Sequence, residues 1–264
     1  MKFCMMSYTM GQQKRYSVKD IVNTAVRLGM PGIDWVGTHG EKAETLKTLS
    51  EDAGLTVAAH TFSPGIINDG TEKYLDNAKR SIADAVTLGA PLVMIPTPQL
   101  PGVESRRRNR DLWCGALEKI APLVRDANLI LTVENFQGAY SPFLTAADFY
   151  EAKARIPDLK LTFDNGNCWI AEDPVESLKI CFADVEHVHL KDWEEFPTGG
   201  LIGRDGKHYR ASLIGEGSVD SLATMRELKR QGYAGYLNIE YVTNRYPADE
   251  AIATALKRLR GGLA

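Results

Sequence analysis

Apolar and polar positions along the chain fall into two alternating periods. Short runs rich in β-branched and apolar residues recur at KFCMMSY (2–8), GIDWVG (32–37), TVAAHTF (56–62), PLVMIP (91–96), LILTVEN (129–135), LKLTFDN (159–165), VEHVHLKD (185–192) and GYLNIEY (235–241). Each has the length and composition of a buried strand. Between them the apolar spacing changes to three and four, as in SVKDIVNTAVRLG (17–29) and EKAETLKTLSEDAG (41–54). That spacing, often closed by glycine, predicts amphipathic helices. SPFLTAADFYEAKA (141–154) and DPVESLKICFA (173–183) open with Ser or Asp followed by Pro, which predicts helix starts there.

Eight strands alternating with helices predict parallel strands joined by right-handed crossovers. The expected fold class is α/β, a single (β/α)8 TIM barrel over residues 1–264. An open doubly wound sheet would begin with a glycine-rich turn, and the first turn, SYTMGQQKRYS, contains no GxGxxG. One connection breaks the rhythm. Residues 192–217 predict an extended loop after strand seven, functional or mobile at that length.

Composition narrows the chemistry. A formal net charge of −3 argues against a general binder of phosphate backbones, and RRRNR at 106–110 reads as a solvated helix face. Cys4, Cys114, Cys168 and Cys181 form no CxxC pair, which excludes a zinc ribbon and disfavours a disulfide framework. The start MKFCMMSYTM lacks the apolar core of a secretory signal, and no run approaches the length of a membrane span. The expectation is a reduced cytoplasmic protein with no nucleic-acid or membrane partner, able to form a homo-oligomer.

Alternation assigns the inward positions of the last four strands. With Leu131, Val133, Leu161, Phe163, Val188, Leu190, Leu237 and Ile239 facing the helices, Thr132, Glu134, Thr162, Asp164, His187, His189, Asn238 and Glu240 point inward. Chemistry in such barrels sits at the C-terminal strand ends. There the inward residues are Glu134, Asp164, His189 and Glu240. Three carboxylates and one imidazole suit a single divalent ion, Mn²⁺ first, with Mg²⁺, Co²⁺ or Zn²⁺ as alternatives. Two residues along a strand span about 6.6 Å, so His189 is the expected ligand. His187 is expected to support it from one layer below, or to be a hydrogen-bonded core residue.

The spacing Glu134…Asp164…His189…Glu240, with DNGN at 164–167 and HVHLKD at 187–192, resembles the xylose-isomerase-like TIM-barrel superfamily. It looks most like the sugar phosphate isomerase/epimerase branch, which includes ketose 3-epimerases, hydroxypyruvate isomerases and inosose dehydratases. The resemblance implies that these four residues bind one metal and that Glu134 and Glu240 also form the catalytic acid/base pair. It implies substrate contacts at His60, Asn167, Lys191 and Arg210. Trp193, just past a ligand-bearing strand end, could stack on a sugar, as could Trp169. Asn167 replaces a histidine common in relatives, and NFQGAY (135–140) lacks their second acidic residue, leaving Gln137 or Tyr140 in its place.

The implied activity is isomerisation or epimerisation of a small ketose or keto-polyol through an enediolate. A lyase or dehydratase using the same site is the alternative, and a non-catalytic sugar-binding barrel a lesser one. An apurinic-site endonuclease of the same superfamily would need a histidine-rich three-zinc cluster and a basic surface, and five histidines in a mildly acidic chain do not fit it. Asp34, on strand two, either faces the mouth or pairs with a neighbour, the latter preferred. Lys207 and His208 are possible lid residues, and Trp113 is read as packing.

Overall fold

The computed structural model describes residues 1–262. Eight parallel strands close into a barrel: β1 (Lys2–Met6), β2 (Gly32–Val36), β3 (Thr56–Thr61), β4 (Leu92–Ile95), β5 (Ile130–Glu134), β6 (Lys160–Asp164), β7 (Val185–Leu190) and β11 (Tyr236–Ile239). All pairings are between sequence neighbours, and β11 closes the ring against β1. The expected α/β barrel is therefore the fold.

Helices α2 (Val18–Arg27), α3 (Ala43–Asp52), α4 (Lys73–Leu88), α5 (Arg106–Asp126), α6 (Ala146–Arg155), α8 (Pro174–Cys181), α9 (Ser221–Arg230) and α10 (Ala248–Gly261) surround it. Their starts follow local chemistry. Ser17 and Asp20 form a capping box at α2, and Asp173 caps α8 with Pro174 in the first turn. At α6 the helix begins later than Ser141-Pro142 suggests. Thr145 and Asp148 form a capping box there, which satisfies the free N–H groups four residues downstream of the serine.

The outward strand residues pack against the helices as one continuous apolar layer. Trp35 on β2 is fully buried in it, and its indole N–H bonds Ser50 of α3 at 3.1 Å. Trp113 is likewise packing, its N–H on the Pro98 carbonyl. Among the described residues no helix is long and apolar enough to cross a membrane.

Three features depart from expectation. Short helices α1 (Ser7–Gly11) and α7 (Asn165–Trp169) follow β1 and β6 directly. The 192–217 segment is not an irregular loop. It contains a small antiparallel sheet of β8 (Asp192–Phe196), β9 (Leu201–Ile202) and β10 (His208–Ser212), in the order β8-β10-β9. Its inner side buries Trp193 and Tyr209 against Ile170 and Val219. Arg204, at the β9–β10 turn, anchors the sheet to the start of α6 through Asp148 at 2.5 Å and the Ser141 carbonyl at 2.9 Å.

Candidate active site

Glu134 and Asp164 end β5 and β6, His189 lies near the end of β7, and Glu240 follows β11. The Glu240 N–H bonds the Leu190 carbonyl at 2.9 Å, which continues the strand pairing by one residue and holds the side chain inward. All four residues are at most 5% exposed, and one ligand atom from each lies within 4.8 Å of the others. His189 Nδ1 is 2.8 Å from Glu134 Oε1 and 3.3 Å from Glu240 Oε2. The four do not share one row of the sheet. Glu134 pairs with Thr162, whereas Asp164 pairs with His189 and His189 with Asn238. The tilt of barrel strands, not a common register, gathers them.

DNGN is an architectural element as well as a source of a ligand. Asp164 caps α7, its Oδ1 accepting the Asn167 N–H at 2.8 Å. Asn165 accepts the Lys191 N–H at 2.9 Å and donates to Ser221. At Gly166 the backbone of Lys191 passes so closely that a Cβ would lie 2.8 Å from its carbonyl oxygen. Asn135 ties the ends of β5 and β6 together, donating to the Asp164 carbonyl at 2.8 Å and accepting its N–H at 2.7 Å. These asparagines carried no sequence signal beyond their position next to ligands.

Lys191 is buried beside the cluster, with Nζ 2.5 Å from Glu240 Oε1 and 3.9 Å from Asp164 Oδ2. Burial pushes the Asp164 carboxyl well above the usual range; Lys191 opposes this, and repulsion from Glu240 and Glu134 adds to it. Burial also works to raise Glu240, yet Lys191 and His189 hold it at about 2. Burial would lower His189, but Asp34, Glu134 and Glu240 keep it well above an ordinary imidazole. Burial opposes the Lys191 ammonium, and the three carboxylates raise its pKa all the same.

Asp164 Oδ2 and Glu240 Oε2 are buried without a hydrogen-bond partner. A buried unpaired carboxylate oxygen is costly, and three such groups around an imidazole make a hard-donor set that fits Mg²⁺, Mn²⁺, Co²⁺ or Zn²⁺. The residues present therefore fit a divalent ion held by Glu134, Asp164, His189 and Glu240.

The remaining expected residues divide. Asn167 is fully buried next to Asp164, with neither side-chain amide atom partnered. His187 is buried one layer lower, its ring edge-on to His189 at 5.3 Å. Trp193 is 5% exposed and packed in the small sheet, with its N–H unpartnered and Lys191 Nζ 5.5 Å from its ring. It offers a donor rather than the open stacking face expected of it.

His60 and Arg210 are not brought to the cluster. His60 pairs in register with Trp35 and shares its outward side, whereas Thr61 points in and donates to Asp34. Arg210 lies on the face of β10 opposite Tyr209, ion-paired with Glu194 at 2.7 Å and stacked on Phe196. Glu216 fixes its loop to α10 through Arg258. Lys207 and His208 bind within the small sheet, to Glu195 and the Gly199 carbonyl.

The family model described as a xylose isomerase-like TIM barrel matches residues 22–261. Inosose dehydratase of Bacillus velezensis is 24% identical over 249 residues, covering 85% of this chain and 81% of that protein. The probable 3-DHS dehydratase AsbF of Bacillus anthracis has the same fold, with a TM-score of 0.79 at 18% identity over 98% of this chain and 99% of that one. The IOLI protein, whose structure holds a zinc atom, gives a TM-score of 0.78 at 18% identity, covering 98% and 96%.

Proposed function

This chain belongs to the xylose isomerase-like TIM barrel family, and from that premise we propose a divalent-metal-dependent enzyme acting on a small keto sugar or keto-polyol. It takes a proton from the carbon beside the carbonyl and expels the hydroxyl one carbon further on. The supporting observation is the convergence of Glu134, Asp164, His189 and Glu240, with two carboxylate oxygens buried and unpartnered. A divalent ion held by these four would polarise the substrate carbonyl and stabilise negative charge on its oxygen.

The chain's own groups then take separate tasks. Lys191 is ion-paired with Glu240, not with Glu134, which leaves Glu134 to accept the proton as the C–H bond breaks. The electrons form the C=C bond, and the C–O bond of the neighbouring carbon breaks toward oxygen. The Lys191 ammonium gives that oxygen its proton, and water leaves. Water has a pKa of about 15.7, so departing hydroxide takes a proton even from a strengthened ammonium. Asn167 and the Trp193 N–H supply free hydrogen-bonding groups for the other hydroxyls.

Isomerisation or epimerisation is the second reading, favoured by the two glutamates on either side of His189 Nδ1. Epimerisation would need both to exchange protons, and the ion pair makes Glu240 a weak base. That reverses the order in which the residues alone rank the two outcomes.

The test is proton NMR in D₂O with Mn²⁺ or Mg²⁺ and a panel of cyclic and linear ketoses. The reading requires exchange at the carbon beside the carbonyl together with loss of a hydroxyl. Glu134→Gln should lose both, whereas Lys191→Met should retain exchange and lose elimination. A hydroxyl-retaining epimer as the product would establish the second reading instead, and a protein that takes up no divalent ion would refute both.

A further inference from the structure

Below the four candidate ligands, at the centre of the barrel, lies a fourth carboxylate. Asp34 on β2 is fully buried. Its Oδ2 accepts from Asn238 Nδ2 at 2.7 Å, and Thr61 Oγ1 donates across both oxygens at 3.1 and 3.3 Å. His187 Nε2 is 3.4 Å and His189 Nε2 3.8 Å from the same Oδ2. Side chains of β3, β7 and β11 thus converge on one oxygen of β2.

Two neutral donors do not by themselves compensate an anion taken wholly out of water. The arrangement makes sense through His189, whose two ring nitrogens face different anions. Nδ1 faces Glu134 and Glu240, and Nε2 faces Asp34. An imidazole that presents a lone pair on Nδ1 must carry its proton on Nε2. A carboxylate beside Nε2 favours that tautomer, orients the ring and makes Nδ1 a better donor. The 3.8 Å separation exceeds hydrogen-bond length by under about 1 Å, within reach of a small ring rotation.

We infer that Asp34 is a positioning residue: it holds His189 as the Nε2–H tautomer, so that cation affinity at the mouth depends on a carboxylate one layer beneath it. The inference rests on the reading that the four upper residues bind a divalent ion. It concerns a residue that contacts neither substrate nor ion.

The experiment compares wild type, Asp34→Asn and Thr61→Val, all full length. Mn²⁺ affinity is measured by competition with a fluorescent chelator, thermal stability on chelator-stripped protein, and the His189 tautomer by ¹⁵N NMR where the ring is neutral. Asp34→Asn should weaken Mn²⁺ by about 10–100-fold and shift the tautomer population. Its stripped protein should melt below wild type, because His187 and His189 lose the anion they face, so affinity and tautomer carry the test. Thr61→Val keeps the carboxylate and should keep both the affinity and the tautomer. Wild-type affinity in Asp34→Asn would overturn the inference, leaving Asp34 a packing residue. Two ions per wild-type chain would also overturn it, placing a cation among Asp34, His187 and His189. If wild type binds no ion, the proposed function fails and this inference with it.

Discussion

The contact between α7 and the end of β7 makes a sharp prediction. A Cβ added at Gly166 would lie 2.8 Å from the Lys191 carbonyl oxygen and 2.9 Å from its Cβ, where ordinary contacts begin at 3.4 Å. The obstacle is mostly backbone, so no flexible side chain can swing aside. Either α7 or the β7 end must move by about half an ångström, the kind of overpacking that costs ~1–3 kcal/mol. For a domain of this size each kcal/mol lowers the melting temperature by about 2–4 °C, so Gly166→Ala should melt roughly 2–12 °C below wild type.

The same displacement shifts Lys191 against Glu240, a pair now 2.5 Å apart. Misplacement by a sizeable fraction of an ångström predicts a fall in turnover of up to about 10²-fold. Gly115 in α5 is the control: nothing lies within 4 Å of its Cβ position and its backbone is helical. Gly115→Ala should therefore gain about 0.5–1 kcal/mol. Thermal denaturation and urea unfolding of both variants give the comparison. If Gly166→Ala melts with wild type, the packing argument for DNGN is wrong.

Three further outcomes follow from other parts of the molecule. All four cysteines are buried, and burial pushes Cys114 up to about 11 and Cys181 to about 12 and raises Cys4 and Cys168 as well; a thiol reagent at pH 8 should label none quickly in the native protein and all four after denaturation. Burial works to raise Asp184, but Lys153 at 3.0 Å and Lys160 at 3.1 Å hold it below the carboxylate range. A depressed carboxyl stabilises the fold above its unfolded pKa and loses that contribution as pH falls through the folded one, so Asp184→Asn should cost about 1–3 kcal/mol at pH 7 and converge with wild type in strong acid; equal stability at pH 7 would refute the pairing. Arg204→Ala removes the tie to Asp148 and Ser141, and limited proteolysis should then cut between residues 197 and 207 in the variant well before wild type.

The legibility of the site differed residue by residue. Where a strand has one plainly apolar side, parity was enough: Leu131 and Val133 out meant Glu134 in, and the same held for Asp164, His189 and Glu240. On β3 both faces are small or apolar, and five of its six residues are buried. Periodicity there carries no phase. Only pairing with β2, through a register shift between Ile33 and Asp34, turns Thr61 inward and His60 outward. The sheet of 192–212 was hidden for a different reason: DWEEF and HYRAS bury one side only, against Ile170, Trp169 and Val219 from other segments.

Alternation of period two with period three-to-four, and the identity of the four inward candidate ligands, are properties of the chain by itself, because they depend on which residues must leave water and which side of a pleat they share. The rest was decided in three dimensions. The stagger that gathers Glu134 with Asp164, the ion pair between Lys191 and Glu240, and the carboxylate of Asp34 beneath His189 all join residues far apart in sequence. Such contacts depend on barrel closure and strand tilt, which no local pattern of residues encodes.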